Sequence, residues 1–101
     1  TISVAPSLET ACEGADALIN CTPCGMSGYG GDAFAGIQLR GRLWICDIVY
    51  TPIWTDFLKR AKARGADILD GYELFLYQGI HAFKHFTGYD VDASTLRHEL
   101  C

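Results

Sequence analysis

No apolar run reaches the ~18 residues that a membrane-crossing helix requires, so no membrane partner is expected of these 101 residues. Basic residues are scarce. Eight Lys and Arg stand against twelve Asp and Glu, for a net charge of −4. Nucleic-acid binding draws on a basic footprint, which excludes nucleic acid as the main partner. The one basic cluster is Lys59, Arg60, Lys62 and Arg64. It falls in a helix-like segment and reads as a solvated face turned away from the core. The first residues, Thr1-Ile2-Ser3-Val4, have neither the basic start nor the apolar core of a signal peptide, and no initiator Met. A processed or excised piece is the expectation. The five cysteines (Cys12, Cys21, Cys24, Cys46 and Cys101) are odd in number and irregular in spacing. That pattern excludes a secreted disulfide framework and fits a reducing cytoplasm. Also missing is any G-x-G-x-x-G after a strand, the loop that seats a pyrophosphate on a helix N-terminus.

What remains describes one small domain. Hydrophobic residues make up 50% and charged residues 20%, which is not a disordered composition. A chain this long can bury a core, and its apolar richness predicts that some surface meets another part of a larger protein. Thr1 to Val4 read as a short strand. Ser7 predicts an N-cap for a helix running to about Glu13 and stopping at Gly14. Ala17 to Cys21 and Leu43 to Tyr50 read as buried strands of the parallel kind, covered on both faces, with Cys46 a buried thiol. Between them, Pro23 to Gly36 hold five glycines and no long element. Thr55 predicts the cap of a helix Asp56 to Arg64, striped by Phe57, Leu58 and Ala61 and stopped by Gly65. Asp67 to Asp70 read as a third strand. Tyr72 to Phe86 form the longest helix, apolar around most of its circumference and so expected to be buried on more than one side. Asp92 or Ser94 predicts the cap of a last helix to Leu100. Strands and helices thus alternate at βαβ spacing, which predicts an α/β fold: a parallel sheet with flanking helices. Trp44 and Trp54 are expected in the core and at its rim.

Three segments together resemble the shikimate/quinate dehydrogenase family. Asn20-Cys21-Thr22-Pro23-Cys24-Gly25-Met26 is similar to the family's N-A-T-P-x-G-M, with Cys21 in place of Ala. Asp47-Ile48-Val49-Tyr50-Thr51-Pro52-Ile53-Trp54-Thr55 resembles D-x-V-Y-x-P-x-x-T. Asp70-Gly71, Gln78-Gly79 and Phe83, Phe86, Thr87, Gly88 resemble D-G-x-x-M-L-x-x-Q-[GA] followed by F-x-x-[WF]-T-G. Here Glu73, Leu74 and Phe75 depart from the usual Gly, Met and Leu. The resemblance implies the second half of a Rossmann-like sheet, incomplete as a stand-alone domain. It also implies a cytoplasmic, NAD- or NADP-dependent oxidoreductase of aromatic amino-acid biosynthesis, acting on a shikimate- or quinate-like acid. The catalytic Lys and Asp of the family belong to an N-terminal substrate domain, which with the glycine-rich loop has no counterpart here. No catalytic residue is therefore assigned, and this chain alone is expected to be inactive.

By the same resemblance Tyr50 and Gln78 contact substrate, and Thr22, Ile48 and Gly71 line the cofactor crevice. The residues agree with that chemistry. A phenol and an amide offer the fixed donors and acceptors a polyhydroxylated acid needs, and a glycine permits close backbone approach. Each has a plainer reading. Tyr50 would be a strand-end aromatic and Gly71 a strand-to-helix turn. Gln78 would be a buried amide in need of partners. Asp47 reads as a cap for neighbouring backbone. Cys21-Thr22-Pro23-Cys24 lacks the helix start or second pair that a redox or zinc motif wants. His81 and His85 stand four apart without an evident third ligand, and no metal is assigned. A second reading is a non-catalytic interaction module. The strand at Leu18-Ile19 would present a flat apolar edge, expected to form a homo-oligomer or to pair with the N-terminal remainder of the same protein.

Overall fold

The computed structural model describes residues 1–40 and 42–100; Cys101 lies outside it. The elements run α1 (Leu8–Cys12), β1 (Ala17–Asn20), β2 (Trp44–Asp47), α2 (Asp56–Ala63), β3 (Asp67–Leu69), α3 (Gly71–Thr87) and α4 (Ala93–Leu100). Every helix starts on a side chain that accepts the backbone N–H three residues on. Ser7 takes Thr10, Thr55 takes Leu58, Asp70 takes Glu73 and Asp92 takes Thr95. Such caps satisfy one of the amides a helix start leaves unpaired. α3 ends at Gly88, whose φ of 76° is the left-handed conformation glycine adopts without penalty.

The three strands pair in the order β1-β2-β3, all parallel. Register puts Leu18, Ile45 and Ile68 in one row and Ile19, Cys46 and Leu69 in the next. Because side chains alternate across a strand, these rows face opposite sides. The first row meets α2, whose Phe57, Leu58 and Ala61 are buried against it with Phe34, Ile37 and Leu39 of the β1–β2 crossover. The Phe34 and Phe57 rings stack with centroids 4.6 Å apart. Each such fully buried side chain contributes roughly 1.5–3 kcal/mol.

The second row is open: Ile19 is 56% exposed and Trp44, on the same face, 60%. The flanking helices are present, but within this chain they cover one face of the sheet rather than two. Trp44 is therefore exposed, and Cys46 is half-buried rather than buried; Trp54, in the bend before α2, is exposed as well. α3 likewise buries only Gly71 and Leu76, because it leaves the sheet at the strand ends and packs on α4. The segment Thr1 to Val4 forms no strand; among the described residues nothing pairs with it, and Ile2 and Val4 are nearly fully exposed. β2 is shorter than its apolar run, for a reason that lies in the crevice above it.

The basic residues of α2 do not all face away. Arg60 turns inward, donating to Asp32 Oδ2 at 3.1 Å and to the carbonyls of Ile37 at 2.6 Å and Phe34 at 2.7 Å. It thereby ties the β1–β2 crossover to α2. The planar guanidinium reaches three acceptors at once, which an ammonium could not do in one plane.

Candidate crevice at the strand ends

In an open parallel sheet the carboxyl ends of the strands point to where a ligand binds. Here those ends are joined by one buried polar network. Asp47, the last residue of β2, is fully buried. Its Oδ1 accepts from Asn20 Nδ2 and from the backbone N–H of Val49, both at 3.0 Å. Its Oδ2 accepts from Thr55 Oγ1 at 2.7 Å. The Val49 bond turns the chain out of the ladder, which is why β2 stops at Asp47 although the sequence stays apolar. Asn20 in turn accepts from the Thr22 N–H at 3.0 Å and the Thr22 hydroxyl at 2.6 Å, and donates to Cys24 O. Asp47 is thus the cap its strand-end position predicted.

Two adjoining cavities lie above this network. One, of about 340 Å³, is lined by Cys21, Thr22, Pro23, Met26 and the run Ile48 to Thr51. The other, of about 220 Å³, is lined by Ile48, Tyr50, Gly71, Leu74, Phe75 and Gln78. Ile48 and Tyr50 border both. Four of the five residues singled out in the sequence (Ile48, Tyr50, Gly71 and Gln78) therefore share one cavity. Thr22 lines its neighbour, across the Ile48–Tyr50 run from Gln78.

Gly71 has a geometric requirement of its own. A Cβ on it would stand 2.2 Å from Val49 O and 2.7 Å from Ile48 O. No side chain fits there, so α3 begins in direct contact with the crevice backbone. Tyr50 is half-exposed and stacks on Phe75, with centroids 4.8 Å apart. Gln78 is exposed rather than buried, and its amide donates to Phe75 O at 3.0 Å. Its partner is its own helix, because among the described residues no element covers α3 on that side.

Cys21 is exposed at the crevice and Cys46 half-buried beneath it. Burial, then Asp47, Cys21 and Asp70, push the Cys46 thiol above its ordinary range. Turns, not a helix, follow Cys24. His81 and His85 are exposed on α3, and among the described residues no group of three or more His, Cys, Asp or Glu could hold a metal ion.

No family model matches the chain. Individual proteins do. It is 41% identical over 83 residues to a shikimate dehydrogenase (NADP(+)) of Arthrobacter sp., covering 82% of this chain and 28% of that protein. Its structure superposes on quinate dehydrogenase from Corynebacterium glutamicum in complex with NAD with a TM-score of 0.83. That match has 40% identity and covers 90% of this chain and 32% of the other. Over the stretch it spans, the chain is similar to members of the shikimate/quinate dehydrogenase family. A third member, shikimate 5-dehydrogenase from Listeria monocytogenes in complex with shikimate and NAD, superposes with a TM-score of 0.78. Identity there is 28%, over 86% of this chain and 31% of that one. The chain spans about a third of the length of the curated dehydrogenases it matches.

Two residues of the buried network had no part in the site as read from the sequence: Asn20, and Thr55, which was expected only to cap α2. Both stand in the family-like motifs. The signal that points to them is a polar side chain at the end of an apolar strand and at a helix cap, where burial demands partners.

Proposed function

We propose that this chain is the part of an NAD(P)-dependent shikimate/quinate dehydrogenase that positions the nicotinamide and one side of the substrate. The observation that carries this is the shared cavity of Ile48, Tyr50, Gly71 and Gln78 at the carboxyl ends of parallel strands. Ile48, Leu74 and the Tyr50–Phe75 stack give it flat apolar walls suited to a planar ring. The side-chain-free surface at Gly71 leaves room for close approach. The Gln78 amide and the Tyr50 phenol offer donors and acceptors to the hydroxyls or carboxylate of a shikimate- or quinate-like acid. The nicotinamide supplies or accepts the hydride. The carbonyl oxygen's proton is handled by groups in the N-terminal remainder, which this reading requires. In the whole enzyme 3-dehydroshikimate or 3-dehydroquinate is interconverted with its alcohol, in the cytoplasm, where free thiols such as those of Cys12, Cys21, Cys24 and Cys46 persist. The open sheet face at Ile19, Trp44 and Leu69 supports the same reading, because it is apolar surface for the remainder to cover.

The test is Gln78→Ala in the full-length enzyme, assayed with shikimate and quinate against NAD and NADP. Substrate use should fall more than cofactor binding, and unchanged catalytic efficiency refutes the role of Gln78. The same open face favours one second reading, a non-catalytic module that assembles through its sheet. Residues 1–101 produced alone should then self-associate in sedimentation, and a clean monomer counts against that alternative.

A further inference from the structure

We propose that Asp47 is a positioning residue for the crevice: one buried carboxylate holds both crevice walls in place without touching a ligand. Three segments end on it, the first of them 27 residues upstream in the sequence. They are Asn20 at the end of β1, the Val49 amide in the crevice run, and the Thr55 hydroxyl that caps α2. Asn20 passes the constraint to the other wall, holding the Thr22 amide and hydroxyl and the Cys24 carbonyl. Thr55 passes it to α2 through the Leu58 N–H at 3.2 Å. The network is closed: among the described residues no buried side-chain nitrogen or oxygen lacks a partner. The Ile48–Tyr50 run is thereby fixed from below by Asp47 and from the side by Gly71, whose missing Cβ lets α3 abut Val49 O.

The arrangement needs a carboxylate. Two donors fall on Oδ1 and a third on Oδ2. An asparagine of the same shape offers one accepting oxygen, so either the Val49 amide and Asn20 or the Thr55 hydroxyl loses its acceptor. A buried donor without a partner moves until it finds one, and the parts free to move here are the crevice walls. Asp47 is fully buried, so its influence on a ligand runs through Thr22, Ile48 and Tyr50.

The inference rests on the dehydrogenase reading for its kinetic test and stands apart from it for its structural one. In the full-length enzyme, Asp47→Asn should raise the KM for the hydroxy acid about tenfold, the order expected when one buried hydrogen bond is lost. kcat per folded molecule should change less. Amide exchange should speed up at Thr22, Cys24 and Val49 while Ile45 and Phe57 keep their protection. Thr55→Val should reproduce both effects and Thr55→Ser should restore them, which keeps the test intact if Asp47→Asn fails to fold. A lowered folded fraction with unchanged KM and no local change in exchange overturns the proposal, since it marks a core residue only. If the parent enzyme turns over neither shikimate nor quinate, the dehydrogenase reading fails. The exchange pattern then decides alone: acceleration confined to the crevice amides supports the positioning role, and uniform or absent acceleration refutes it.

Discussion

Gly71→Ala perturbs one atom at the tightest contact in the crevice. The new Cβ would stand 2.2 Å from Val49 O, 2.5 Å from Val49 C and 2.7 Å from Ile48 O. A relaxed carbon–oxygen contact lies near 3.3 Å, so the start of α3 must retreat by about 1 Å. The atoms it meets are backbone, held by the Asp47 network, and cannot rotate aside. Overpacking of this kind costs about 1–3 kcal/mol, and this site belongs at the upper end. A misplacement of about 1 Å near a reacting centre also costs ~100-fold in rate, so activity should fall further than stability does. Gly79→Ala is the matched control. Gly79 lies in the same helix, and its Cβ would meet nothing within 4 Å. Replacing a helical glycine in open space should raise stability by up to about 1 kcal/mol. Urea unfolding of the two variants of the full-length protein, read as midpoint at constant slope, should move in opposite directions. A Gly71→Ala midpoint within error of the Gly79→Ala midpoint refutes the argument.

Two further outcomes follow from side chains outside the crevice. Arg60→Lys should cost about 1–2 kcal/mol, because the fork that holds Asp32, Phe34 O and Ile37 O is lost while the charge stays; Arg60→Lys unfolding like the parent would show that the crossover needs no such tie. The exposed Cys21 should be alkylated by iodoacetamide well before Cys46, whose thiol burial and the neighbouring Asp47 hold above the ordinary range. The sign of the linkage is fixed by that direction. The folded state favours the protonated Cys46 thiol, so its contribution is complete below the free-thiol value and is lost as pH rises through the higher folded value. Equal alkylation rates at the two thiols, followed by peptide mass spectrometry, would contradict both statements.

The helix starts were legible in the sequence because a cap is local: Ser7, Thr55, Asp70 and Asp92 each bond an amide three residues on. The crevice residues were legible through motifs, and Ile48, Tyr50, Gly71 and Gln78 do share a cavity. Pairings over longer intervals were not. Arg60 looked like a member of a solvated basic face because its acceptors lie 23 to 28 residues upstream in a glycine-rich loop. Asn20 and Asp47 are 27 residues apart and meet only once β1 and β2 pair. Apolar runs also carry no statement of what covers them. Ile45 and Trp44 adjoin in sequence, yet the first is buried and the second mostly exposed, because α2 covers only the row to which Ile45 belongs.

The β1–β2 crossover has a mechanical consequence. Among its described residues it holds no helix, and its two parts differ in kind. Around Gly28, Gly30 and Gly31 an added Cβ would meet nothing within 4 Å. A protease can nick that tip, or an insertion lengthen it, while the rest of the domain stays intact. Phe34, Ile37 and Leu39, only a few residues further on, belong to the core itself. They cannot lift away unless the layer they share with α2 comes apart, so this half of the crossover opens with the whole domain as one cooperative unit.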